Sequence, residues 1–175
     1  LKNKEFLSFN LNPSQKIILI KLKKNQSPLE NEKTGAKFFE YTKLNSFYNA
    51  AFFEQNIYQL KSSSKYFFDE FILGVRLKSY IFDKYKTKKN DKNLVLDLFI
   101  KKNQINFNRN KRFTSLIEGS NFTKDLVSEP GNILHPDEYA KRLNSLKKDG
   151  LKVNIYDEKK LKKMGMHALL GVGQG

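Results

Sequence analysis

The sequence predicts an α/β fold: a mixed, largely parallel sheet flanked by helices, followed by an incomplete second α/β domain. Two observations lead there. Short β-branched or aromatic runs alternate with longer stretches whose apolar residues recur every three or four positions, which is the β-α-β order of a layered α/β fold. A break at Glu129-Pro130, with helical patterning resumed at Pro136, then separates that first set of elements from a second.

The elements follow in order. Lys16-Ile17-Ile18-Leu19-Ile20-Lys21-Leu22 suits a buried strand, and residues 31–44 suit a helix capped by Asn31 with Ala36, Phe39 and Leu44 on one face. Phe47 to Phe53 reads as a second strand. Ser62-Ser63-Ser64 offers a cap for a helix over 65–83, where Phe68, Phe71, Ile72, Val75, Ser79 and Phe82 share a face. Leu94 to Ile100 is strand-like, with Asp97 as its one charge. A helix over 111–127 should turn Phe113, Leu116, Ile117 and Val127 to one side.

At the break, Pro130 lacks an amide hydrogen and pushes Glu129 towards extended geometry, so the helix must stop near Ser128. Gly131 and Asn132 tolerate a chain reversal. Pro136 presets the first turn of a new helix, with Asp137 and Glu138 at its positive end. That helix should run to Lys148 and close on Gly150. Leu151 to Tyr156 alternates as a strand does, and Asp157 caps a short helix over 158–164.

A chain of 175 residues can withdraw roughly 70% of its extended surface from water, so a core needs no covalent staples. The absence of cysteine excludes disulfides and thiolate metal sites. No run approaches the ~18 apolar residues of a membrane span. The chain opens on Leu1 rather than Met, and neither end has the look of a natural terminus, so the expectation is an internal piece of a longer protein. Net charge is +15, from 33 basic and 18 acidic residues. The basic residues are almost all lysine, with arginine only at Arg76, Arg109, Arg112 and Arg142. Residues 84–112 concentrate the charge, with Tyr85, Phe99 and Phe107 interleaved. That stretch carries the alternative reading, a basic α/β nucleic-acid-binding domain; its bland reading is a solvated loop beside a half-buried strand.

Several catalytic patterns match by letter and fail by context. Ser62-x-x-Lys65 and Lys33-Thr34-Gly35 have the spacing of penicillin-binding boxes, but in reversed order and at cap or helix positions. His135 and His167 are far apart, without carboxylates at ligand spacing, where zinc needs three or four donors. Gly171-Val172-Gly173-Gln174-Gly175 lacks the following helix that would hold a pyrophosphate, and reads as a glycine-rich turn. No catalytic, cofactor-binding or metal-binding residue is therefore assigned.

Three stretches carry a resemblance. Leu73-Gly74-Val75 through Leu77, Ser79-Tyr80, Phe82, Tyr85-Lys86-Thr87 resembles the "G-x-x-L-x-S-Y-x-F-x-x-Y-K-T" helix of the leucyl (cytosol) aminopeptidases. Asp125-Leu126-Val127-Ser128-Glu129-Pro130-Gly131-Asn132, with Pro136, is similar to that family's "D-L-V-N-E-P-x-N…T-P" junction. Met164-Gly165-Met166, Ala168-Leu169-Leu170 and Val172-Gly173-Gln174-Gly175 resemble its "L-G-M-x-A-L-L-x-V-G-Q-G-S" segment. Ser128 stands where the family has Asn, and His135 where it has a Thr or Ser cap. The resemblance covers residues 70–175; before that only the element order agrees.

The resemblance implies an N-terminal α/β domain over 1–110, a linking helix over 111–127 and the start of a catalytic domain over 128–175. It implies a cytoplasmic enzyme that releases N-terminal residues, leucine-type, from peptide substrates. Two divalent ions, manganese or zinc, would serve as its cofactors, in a homohexamer. The family's metal-ligand boxes, "D-S-G-G" and "N-T-D-A-E-G-R", have no counterpart in this sequence, so the chain alone is expected to be inactive.

Overall fold

A computed structural model describes residues 5–53, 66–88, 93–99 and 107–173. The chain forms two compact units, Leu1–Phe122 and Thr123–Gly175.

The first unit is mixed α/β. It opens on a hairpin that the sequence reading missed: β1 (Phe6–Asn10) pairs antiparallel with β2 (Lys16–Ile20), Leu7 opposite Leu19 and Phe9 opposite Ile17. Its turn is set by Asn12, whose Oδ1 accepts from the Ser14 amide at 3.0 Å. Phe6, Ile18 and Ile20 face the core, while Phe9, Ile17 and Leu19 face outward.

Helix α1 spans Pro28–Leu44 and starts three residues ahead of the expected position. Ser27, not Asn31, is the cap. Its hydroxyl accepts from the Glu30 amide and the Glu30 carboxylate accepts from the Ser27 amide, a reciprocal capping box. The buried face is Asn31, Gly35, Phe38 and Thr42, not the predicted one: Ala36 and Phe39 are only half-buried and Leu44 is 85% exposed.

Strand β3 (Asn49–Phe53) pairs parallel with β4 (Val95–Phe99), and α2 (Phe67–Lys78) lies between them in the chain. Among the described residues the two pairs are separate two-stranded sheets, one antiparallel and one parallel, rather than one largely parallel sheet. Both strands alternate, with Ala50, Phe52, Leu94 and Leu96 packed inward. The expected cap at Ser62–Ser64 lies outside the described residues. Helix α2 ends at Lys78 rather than near 83, because the Ser79 hydroxyl donates to the Arg76 carbonyl at 2.9 Å and competes with the helical ladder.

Phenylalanines form the centre. Phe71 is fully buried, and Phe52 lies 5.3–6.5 Å, centroid to centroid, from Phe67, Phe68 and Phe71. Such offset and edge contacts add about 0.5–1.5 kcal/mol per pair to the burial itself. Helices α1 and α2 touch backbone to backbone through Gly35 and Gly74. A Cβ on Gly35 would fall on the Phe71 carbonyl oxygen, and one on Gly74 on the Glu32 carbonyl oxygen. Gly74, the glycine of the first family-like stretch, is therefore a packing residue.

Helix α3 (Phe107–Ser128) crosses the division between the units. Ile117 and Leu126 are buried and Phe113 is half-buried, but Leu116 is exposed and Val127 is 80% exposed, against the predicted face. The second unit continues with α4 (Pro136–Ser145), a 3₁₀ turn (Leu146–Asp149) and Gly150 at φ 85°, the left-handed stop expected there. Residues 151–156 are not a strand, contrary to the alternation. A strand needs a neighbour for its backbone groups, and no described strand pairs with this segment. Asp157 caps α5 (Glu158–Lys163) as predicted, accepting from the Lys160 amide at 2.8 Å. In α6 (His167–Gly173) the segment expected as a glycine-rich turn is helical through Gly173.

Candidate functional site

At the corner between α3 and α4 a family-like stretch coincides with organised charge. Helix α3 closes with the Glu129 amide donating to the Asp125 carbonyl at 3.1 Å. Pro130 then ends it, and the Ile133 and Leu134 amides both donate to the Pro130 carbonyl at 2.9 Å, making the reversal. His135 is the α4 cap in extended geometry, and its side chain makes no cap hydrogen bond. Pro136 supplies the first helical residue, and Asp137 and Glu138 meet the positive end of the helix.

Arg142 ties this corner together. Its Nη1 donates to Glu129 Oε1 at 2.8 Å and its Nε to Glu138 Oε1 at 3.1 Å. The Glu129 side chain is 1% exposed and that of Arg142 20%. The Arg142 hydrogen bond holds the Glu138 carboxyl below the usual carboxylate range, against the opposing effect of burial. The two glutamates, Glu129 first, push the guanidinium further up. Nothing in this triad is a nucleophile or a vacant acid–base group; its chemistry is to hold a shape. Sequence reasoning marks Glu129 only as the residue before the Pro130 break and misses its pairing with Arg142. The available signal was the Glu138–Arg142 pair at i, i+4.

The other candidates do not converge. Lys33-Thr34-Gly35 lies within α1, where the Thr34 hydroxyl donates to the Glu30 carbonyl at 2.8 Å and Gly35 meets α2. Its supposed companion, Ser62-x-x-Lys65, lies outside the described residues. His135 and His167 stand at the start of separate helices, both exposed. Of the basic stretch 84–112, Lys84, Tyr85, Lys86 and Lys88 are exposed, and β4 alternates half-buried leucines with exposed residues; residues 100–106 lie outside the described residues. Among the described residues no three His, Asp or Glu side chains are placed to hold a metal ion. The described carboxylates and histidines do not fit a dinuclear centre. No described helix is long and apolar enough to cross a membrane.

The corner falls inside a region with known relatives. Residues 121–175 match the cytosol aminopeptidase family, catalytic domain. Over that region the chain is similar to the cytosol aminopeptidases. It is 42% identical over 111 residues to a probable cytosol aminopeptidase of Phytoplasma mali, covering 60% of this chain and 22% of that protein. It is likewise 42% identical over 106 residues to one of Bradyrhizobium sp., covering 58% of this chain and 21% of the relative. A third, from Methylorubrum populi, is 39% identical over 109 residues. The chain thus spans about a fifth of the length of the curated aminopeptidases it matches. The family match takes in the whole second unit, including the Glu129–Pro136 corner.

Proposed function

We infer that this chain is the front portion of a metal-dependent aminopeptidase that releases N-terminal amino acids, leucine-type, from peptides. The observation that carries this reading is the match of residues 121–175 to the family's catalytic domain. In the longer protein, residues 1–110 form an N-terminal α/β domain built on a largely parallel sheet, 111–127 a linking helix, and 128–175 the first elements of a second α/β domain. Two divalent ions, manganese or zinc, would act there as Lewis acid and activator of a water nucleophile. Their ligands are to be sought outside the described residues. The N-terminal domain serves assembly into a homohexamer, and the enzyme works in the cytoplasm.

The test compares two proteins. The purified 175-residue chain, supplied with manganese or zinc, should release nothing from a leucyl anilide. The full gene product that contains this sequence should release leucine and lose that activity to a chelator. Release by the chain alone, or chelator-resistant release by the full protein, overturns the reading.

A further inference from the structure

We propose that Arg142 is a positioning residue that makes the corner between α3 and α4 rigid. The backbone alone does not explain a fixed corner. From Ser128 to Pro136 the chain carries Pro130, Gly131 and Pro136, and the turn is tied by the Ile133 and Leu134 amides, which donate to the Pro130 carbonyl. The cap residue His135 contributes no side-chain hydrogen bond, so α4 starts without the anchor that serine or threonine would give.

Arg142 supplies the missing tie from the other side. It stands two turns into α4 and reaches back thirteen residues to Glu129 and one turn to Glu138. Two different nitrogens of one planar guanidinium meet two different carboxylates, which fixes both the position and the tilt of the helix face that bears them. Lysine keeps the charge but offers no such fork. Burial of Glu129 makes the arrangement selective, because any corner geometry that parts it from Arg142 leaves a desolvated carboxylate without this partner. Lys141, 3.7 Å from Glu138, is largely exposed and screened, and cannot take over.

The chain has no cysteine, so paired labels can be placed cleanly. Nitroxides at Thr123→Cys and Asn144→Cys, both exposed positions of the second unit, would report the corner by dipolar EPR. The parent should give a narrow distance distribution. Arg142→Gln should broaden it at least about twofold and speed exchange of the Ile133 and Leu134 amides about tenfold, since a charge-assisted bond is lost. Arg142→Lys should stay broad. Arg112→Gln, which removes the same charge at an exposed site of α3, should stay narrow. An unchanged width in Arg142→Gln, full recovery in Arg142→Lys, or equal broadening in Arg112→Gln would overturn the proposal. If Arg142→Gln does not fold, Glu138→Gln removes one arm and leaves Glu129 paired; it must give an intermediate width, and a parental width counts against the clasp.

Discussion

Arg109 Nη2 donates to Glu70 Oε1 at 2.6 Å, while the other oxygen of Glu70 accepts from Asn31 Nδ2 at 2.8 Å. One carboxylate, buried in α2, thereby joins α1 and α3 within the first unit. The guanidinium also lies over the Tyr66 ring at 4.4 Å and near the Phe113 ring at 5.1 Å, so it is stacked as well as paired. Arg109→Ala should lower the stability of the first unit by about 3 kcal/mol in urea titration, because Glu70 stays buried after its partner is gone. Arg109→Lys should recover less than half of that, since ammonium neither forks nor stacks in the same way. A loss below about 0.5 kcal/mol, the size of a surface ion pair, would show that the pair is peripheral.

The glycines make a sharper contrast. Gly35→Ala or Gly74→Ala drives a Cβ into backbone of the facing helix, which cannot rotate aside as a side chain can. Each should destabilise by about 3 kcal/mol or more, at or beyond the upper range for overpacking. Gly119, within α3, has nothing within 4 Å of an added Cβ. Gly119→Ala should stabilise by about 0.5–1 kcal/mol through helix propensity alone. Thermal unfolding of the three variants separates the two effects by sign.

Replacing His135 with serine tests the uncapped start of α4. Serine can accept from an amide of the first turn where histidine makes no cap bond. The gain should be about 1 kcal/mol in the local stability of α4, read from slower exchange of the Tyr139 amide. A neutral outcome would mean that other contacts already satisfy that end.

Acid should loosen the same helix. Glu138 titrates below its ordinary 4.5, mainly because Arg142 hydrogen-bonds its charged form. A depressed folded pKa contributes stability that is complete above the unfolded value and disappears as pH falls through the folded one. Protection of the α4 amides should therefore be flat above about pH 6 and decline below about 4.5. Glu138→Gln should remove that part of the decline. Glu30, held low first by the Ser27 amide, should give a parallel loss at the start of α1.

Reading the residues alone went furthest where local chemistry decides. Pro130, Pro136, Gly150 and Asp157 ended or began helices where their backbone preferences say they must. The corner was legible in this way, and so was its family likeness. The face of a helix was less so: taking Asn31 for the cap, four residues past Ser27, makes a buried partner of Glu70 look like a helix end, and of the predicted face Phe39 packs against the core while Leu44 is exposed.

The sequence by itself determined where α4 and α5 begin, the site of the corner between α3 and α4 and the likeness to cytosol aminopeptidases, because turn and cap residues act over a few neighbours. Only the tertiary structure decided that Phe6–Asn10 closes a hairpin, that Leu151–Tyr156 finds no partner among the described strands, and that Arg142 reaches back to Glu129. Strand pairing and buried charge pairing join residues distant in the chain, and their energies depend on what surrounds them, which no local pattern records.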